Sequence, residues 1–139
     1  MKNFLFEEFI NFNGFAPFLF SRGCPYSCSY CSNHAIARIY GMSRNKPRYR
    51  SVESCIEEIK IAREKYEFQT VYVMDDTFGL EKKWRKEFCE KYRKEINVKF
   101  ICLLRVNVVD EEFVKLLKKA GCYRSSLVWS LEMNMCETQ

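Results

Sequence analysis

Apolar positions along the chain follow two rhythms, short unbroken runs and residues spaced by three and four, and each predicts a different element. Phe15 to Phe20 is an apolar run preceded by Gly14 and suits a buried strand. Val52, Cys55, Ile56, Ile59, Ala62 and Tyr66 recur at helical spacing and give one apolar face. Ser51 stands where it can cap that helix, with Glu53 in its first turn. Val71 to Met74 is a short β-branched run that reads as the next strand and ends in Asp75-Asp76. A second helix carries Trp84, Phe88, Tyr92 and Ile96 with charges between them. Lys99 to Leu104 is again a strand, ending in Arg105. Asp110 caps a third helix whose first turn holds Glu111 and Glu112 and which stops at Gly121 after Lys118 and Lys119.

Strands alternating with helices predict an α/β fold with a parallel sheet built of βα units. A closed eight-unit barrel of this kind uses about 250 residues, or roughly 31 per unit. The 139 residues therefore correspond to about four units, an arc of a (β/α) barrel with helices outside. Met1 to Phe12 has the look of a signal peptide, but Glu7 and Glu8 interrupt it and no small-residue cleavage site follows. No apolar run approaches the roughly 20 residues of a membrane span, so the expected compartment is the cytoplasm, with no membrane partner. Phe4, Phe6, Phe9, Phe12, Phe15, Phe18 and Phe20 crowd the opening segment. Core packing is the simpler reading of them; burial against a preceding domain is the other.

Composition adds limits. With 47% apolar residues the chain is not a disordered one. The net charge of +5 is spread out. Its densest part, Arg44, Lys46, Arg48 and Arg50, shares a loop with Pro47 and reads as a solvated segment rather than a phosphate site. Aromatics do not interleave with basic residues as they do in a nucleic-acid groove, so nucleic acid is not expected as a partner.

The chain has eight cysteines. A reducing compartment disfavours disulfides. Cys55, Cys89, Cys102, Cys122 and Cys136 are scattered, and three of them fall on predicted helix faces or strands, where Cys acts as a small apolar residue. Cys24, Cys28 and Cys31 are clustered at spacings of four and three, an arrangement that random placement would produce only about 0.025 times in such a chain. A cubane iron–sulfur cluster has four irons, and three thiolates leave one iron open to a substrate or cofactor. A closed zinc site needs a fourth ligand, for which His34, the chain's single histidine, is the candidate.

The run Ser21-Arg22-Gly23-Cys24-Pro25-Tyr26-Ser27-Cys28-Ser29-Tyr30-Cys31 resembles the radical S-adenosylmethionine (SAM) superfamily, and most closely its cobalamin-binding-domain branch. The resemblance extends over Phe15 to Tyr123 through Tyr49-Arg50-Ser51, Asp75-Asp76-Thr77-Phe78 and Arg105-Val106-Asn107. It implies that Cys24, Cys28 and Cys31 ligate a [4Fe–4S] cluster whose fourth iron chelates SAM. One electron from a donor such as flavodoxin or ferredoxin would then split SAM into methionine and a 5′-deoxyadenosyl radical, which takes hydrogen from an unidentified substrate. Tyr30 would lie near the adenine, with packing beside the loop as its alternative. Asp75 or Asp76 would hold the SAM ammonium, with capping of the following turn as the alternative. Arg105 and Asn107 reach SAM or substrate, or form a structural ion pair. Cobalamin would come only through a domain outside this chain. Two other classes of reading stand beside catalysis: an inactive piece that binds cluster or SAM, and a small zinc module.

The expected division is a lead-in at 1–14, an incomplete radical SAM core at 15–124 and an out-of-frame tail at 125–139. After Tyr123 the resemblance calls for a fourth strand and a Gly-Val-Glu-Ser-Gly-Asn-Glu-like segment, whereas the chain continues Arg124-Ser125-Ser126-Leu127-Val128-Trp129. One permissible set of codons for Ser126 to Thr138, read two nucleotides later, translates as Phe-Gly-Val-Glu-Ser-Gly-Asn-Glu-Tyr-Val-Arg-Asn. The fit holds at Trp129, Met133 and Met135, where codon choice is not free. A base lost near Arg124 accounts for this, and the encoding DNA is the test.

Overall fold

The computed structural model describes residues 4–26, 28, 30–41 and 46–128. Its elements run in the order helix α1 (Phe4–Asn13), strand β1 (Phe15–Phe18), β2 (Ser21–Arg22), α2 (Asn33–Ile39), β3 (Arg48–Tyr49), α3 (Val52–Lys65), β4 (Thr70–Val73), α4 (Lys82–Glu95), β5 (Lys99–Arg105), α5 (Glu111–Ala120) and β6 (Cys122–Val128). Strands β1, β4, β5 and β6 are hydrogen-bonded in that order, every pair parallel. The fold is α/β, a parallel sheet flanked by helices, as the alternating pattern predicts for part of a (β/α) barrel. β2 and β3 form a separate two-residue antiparallel ribbon.

Local chemistry sets the boundaries. The Ser51 side chain accepts from Ser54 N at the start of α3, and Asp110 accepts from Phe113 N at the start of α5. Gly121 ends α5 at φ 95°, a left-handed conformation that suits glycine. One face of the sheet, with Ala16, Phe18, Val71, Val73, Phe100, Cys102 and Leu104, is buried in the same core as Ile56, Ile59, Phe88, Tyr92, Phe113 and Leu117 from the helices. The opposite face, with Phe15, Pro17, Tyr72, Ile101 and Leu103, is only half-buried. Parallel sheets are normally covered on both faces, so this half-open face is the inside of the arc.

Two short helices depart from the expected pattern. The segment read as a lead-in forms α1, where Phe6 meets Phe18 and Tyr66 edge-on and Phe9 meets Phe15. These contacts are ordinary packing, the simpler of the two readings of that aromatic run; the side chains of Phe4 and Phe12 lie outside the described residues. The stretch after Cys31, where the pattern predicts no helix, contains α2. In the basic loop, Arg50 pairs with Glu58 and donates to Ser54 Oγ at 2.9 Å, while Lys46 and Arg48 are exposed; Arg44 lies outside the described residues. Strand β6 runs through the boundary expected at 124, with Tyr123 as the extra residue where its register against β5 shifts. Arg124, Ser125, Ser126 and Leu127 are all exposed. Residues 129–139 of the expected tail, with Cys136, lie outside the described part.

Tyr92 carries a testable peculiarity. It is fully buried between Phe88 and Phe100, yet among the described residues its hydroxyl has no hydrogen-bond partner. Burying an unpaired hydroxyl costs about 1–3 kcal/mol. Tyr92→Phe is therefore expected to leave unfolding stability unchanged or raise it by about 1 kcal/mol. Urea unfolding checks this, and a clear loss of stability would mean that the hydroxyl has a partner such as a buried water.

Candidate functional site

In a parallel sheet the loops after the strands gather at one edge, where the carboxyl ends of the strands point. Here that edge collects the chemistry-bearing residues. β1 leads through Leu19-Phe20 into Ser21 and Cys24, β4 ends at Val73 one residue before Asp75-Asp76-Thr77, and β5 ends in Arg105 with Asn107 just beyond. Specific contacts join the cysteine segment to those partners across 53 to 77 residues of sequence.

Asp75 is fully buried. Its Oδ1 accepts from Phe20 N at 2.7 Å and Ser21 N at 3.0 Å, and its Oδ2 accepts from Ser21 Oγ at 2.6 Å. Burial pushes its carboxyl above the usual carboxylate range, against the pull of those three hydrogen bonds and with a push from Asp76. Asp75 thus fastens the approach to Cys24 rather than facing an open space. The expected alternative, capping of the following turn, is not what these bonds do: they reach back 54 and 55 residues, to Ser21 and Phe20. Asp76 is exposed, and its Oδ2 accepts from Gly23 N at 3.1 Å.

The three clustered thiols are partly exposed and free. Cys24 Sγ lies 3.8 Å from Thr77 Oγ1. Cys28 Sγ accepts from Arg105 Nη1 at 3.0 Å, and the Cys31 amide donates to Cys28 O at 3.0 Å. Among the described residues, no three His, Cys, Asp or Glu side chains converge tightly enough to hold one metal ion. The thiols are instead distributed along the loop, from Cys24 beside the β4 end to Cys28 beside the β5 end. The His34 side chain lies outside the described residues. Tyr30 is 64% exposed, so its ring is not packed in the core, the alternative considered for it.

Thr77, buried beside Cys24, and Tyr26, whose ring carries the Arg105 guanidinium 3.8 Å from its centroid, were not among the expected site residues. Both lie inside segments that stood out in the sequence, but nothing in either segment announces the contact. Three of the other described cysteines behave as apolar residues. Cys55, Cys89 and Cys102 are buried, and burial pushes the Cys55 and Cys89 thiols up to about 12. Cys102 and Cys122 place their sulfurs 3.8 Å apart across β5 and β6.

The sequence profile of the Radical SAM superfamily matches residues 18–130, which includes the cysteine loop and all three strand ends just described. The chain belongs to the radical SAM superfamily. Membership implies, in general terms, a [4Fe–4S] cluster and SAM, and the donor set fits: three free, partly exposed thiols on one loop, one of them facing a guanidinium. Among similar proteins is an uncharacterised methyltransferase of Pyrococcus horikoshii, 33% identical over 104 residues that make up 74% of this chain and 21% of that protein. An anaerobic magnesium-protoporphyrin IX monomethyl ester cyclase of Rubrivivax gelatinosus is 30% identical over 115 residues, 78% of this chain and 19% of the cyclase. A bacteriochlorophyllide d C-12(1)-methyltransferase of Chlorobaculum tepidum is 27% identical over 114 residues, 80% of this chain and 24% of that enzyme. This radical SAM chain thus spans about a fifth to a quarter of the length of these relatives.

Proposed function

We propose that this chain is the cluster-bearing part of a radical SAM enzyme, with Cys24, Cys28 and Cys31 as the ligands of a [4Fe–4S] cluster. The observation that carries the reading is the fastening of one three-thiol loop, by Asp75, Asp76 and Arg105, over the carboxyl edge of a parallel sheet. Such a cluster, bound together with SAM, supplies one-electron cleavage of the sulfonium and a radical that abstracts hydrogen. The protein's own share is placement. Asp75 holds Phe20 and Ser21, and so fixes where Cys24 begins. Asp76 keeps an exposed carboxylate beside Gly23, which makes it the better candidate of the two for the SAM ammonium. Tyr30 presents an exposed ring from within the loop, suited to cover an adenine.

The electron would come from a low-potential donor such as flavodoxin or ferredoxin, in the cytoplasm. Among the described residues no helix is long and apolar enough to cross a membrane. The cobalamin expectation concerns a domain outside these 139 residues.

Anaerobic reconstitution with iron and sulfide, followed by electron paramagnetic resonance of the reduced protein with and without SAM, tests the reading. A cubane signal that changes when SAM is added, and that is lost in Cys28→Ala, is the expected result. A protein that forms no cluster and retains zinc would overturn it. Cleavage of SAM then separates an active chain from one that only binds cluster and SAM.

A further inference from the structure

We propose that Arg105 is a positioning residue that sets the reduction potential of the cluster through Cys28, so that the three cysteine ligands are electrostatically unequal. The inference rests on the reading of Cys24, Cys28 and Cys31 as cluster ligands. It starts from how firmly the guanidinium is held. Arg105 ends β5, and its Nε donates to Asn107 Oδ1 at 2.9 Å. Its central carbon lies 3.8 Å from the centroid of the Tyr26 ring. Its Nη1 donates to Cys28 Sγ at 3.0 Å. A planar guanidinium held on a ring face and by a side-chain amide points its remaining N–H groups in fixed directions, and one of these meets the sulfur. Lysine could supply the charge but not this orientation.

Cys24 has a different neighbour. Thr77 Oγ1 lies 3.8 Å from its sulfur, but the Thr77 hydroxyl donates its proton to Asp76 O at 2.8 Å. That leaves lone pairs, not a proton, for Cys24. Of these two ligands, then, only Cys28 faces a dedicated cationic donor. An added electron raises the negative charge on the ligand sulfurs of an iron–sulfur cluster. A fixed cation beside one of them stabilises the reduced form more than the oxidised form and raises the potential. The effect is strongest where the pair is partly withdrawn from water, as this one is.

The test is a potentiometric titration, followed by electron paramagnetic resonance, of the reconstituted full chain without SAM. Arg105→Met is expected to shift the midpoint to more negative values by a tenfold change in the reduced-to-oxidised ratio, about 59 mV for one electron. Arg105→Lys should fall between Met and wild type, because it keeps the charge and loses the orientation. Should the Met variant hold no cluster, Arg105→Lys and Arg105→Gln carry the comparison, with circular dichroism to confirm that they fold. Equal midpoints in variants with full iron and sulfide content would overturn the inference and leave the cluster assignment standing. Weaker SAM binding with an unchanged midpoint would likewise overturn it and assign Arg105 to SAM. A wild-type chain that takes up no cluster would overturn the assignment and the inference together.

Discussion

Asp75→Ala is expected to lower unfolding stability by about 3–5 kcal/mol, because it strands three donors at once in a place water does not reach. Phe20 N, Ser21 N and Ser21 Oγ all end on this carboxylate, and both Asp75 and Ser21 are buried. Each unpaired buried donor costs about 1–3 kcal/mol, partly relieved by local rearrangement. A domain holds only about 5–15 kcal/mol in all, so the loss is a large share of it. The damage is also directional. The freed backbone leads within three residues into Cys24, so cluster content after reconstitution should fall along with stability. Asp75→Asn keeps an acceptor for the two amides and can offer its own N–H to Ser21 Oγ, so it should cost far less. Urea unfolding and iron content, measured on both variants, decide the matter; an alanine variant as stable as the asparagine one would sink the account.

The same residue makes a signed prediction for pH. Desolvation raises the Asp75 carboxyl above the usual range, despite hydrogen bonds that pull it down. An acid whose folded pKa exceeds its unfolded one binds more protons when folded between the two values. Its ionisation therefore removes stability as pH rises through a window that begins at the ordinary Asp value of about 3.9 and extends upward. Relative to Asp75→Asn, the wild type should be most stable at the acid end of that window and lose ground as pH rises. Asp110, Glu53 and Glu95 are shifted the other way by their hydrogen bonds, but they are present in both proteins and cancel in the difference. A stability gap that stays flat with pH would show that burial does not dominate at Asp75.

What the sequence made legible follows the range of the forces involved. Helices α3 and α5 were readable because their caps, Ser51 and Asp110, bond amides only three residues away. Strands β1, β4 and β5 were readable because β-branched and aromatic runs mark them, whereas the polar run Arg124-Ser125-Ser126 hid β6. α1 was missed because its aromatic residues register as hydrophobic density before they register as a turn, and α2 is only seven residues long. The cysteine loop stood out through its spacing alone. Its supports did not, because Cys28 and Arg105 are 77 residues apart and Gly23 and Asp76 are 53 apart. A strand end that finishes in two carboxylates announces polar chemistry there. It does not say which carboxylate turns inward to hold backbone and which stays in water. That choice depends on the parallel register of β1 with β4, in which Phe18 lies opposite Val73, and this register is a property of the assembled sheet.

Gly79→Ala is expected to cost about 2–4 kcal/mol and to lower the melting temperature by roughly 10 °C, although the residue lies outside the cysteine loop. Gly79 follows Asp75-Asp76-Thr77-Phe78 and turns the chain toward α4 at φ +73°, where an L side chain is strained by about 1–2 kcal/mol. A Cβ there would lie 2.5 Å from Phe113 Cζ and 3.3 Å from Arg85 Cβ. Neither neighbour can step aside cheaply. Phe113 is fully buried and stacks with Phe78, while the Arg85 guanidinium lies 4.0 Å from the Phe113 ring centroid and donates to Asp110 Oδ2 at 2.8 Å. That ion pair also holds the cap of α5, since Asp110 Oδ1 accepts from Phe113 N. Overpacking at such a point adds about 1–3 kcal/mol to the backbone strain. Displacement of Phe113 would in turn press on Phe78, whose amide donates to Leu103 O and so ties the Asp75 loop to β5. Thermal unfolding measures the stability loss, and the cluster content of the folded fraction measures how far it travels. If Gly79→Ala melted within a degree or two of wild type, the close packing of Phe113 against this turn would be refuted. A Phe113→Leu second change in the same chain should recover part of the loss by vacating the contact, which backbone strain alone would not allow.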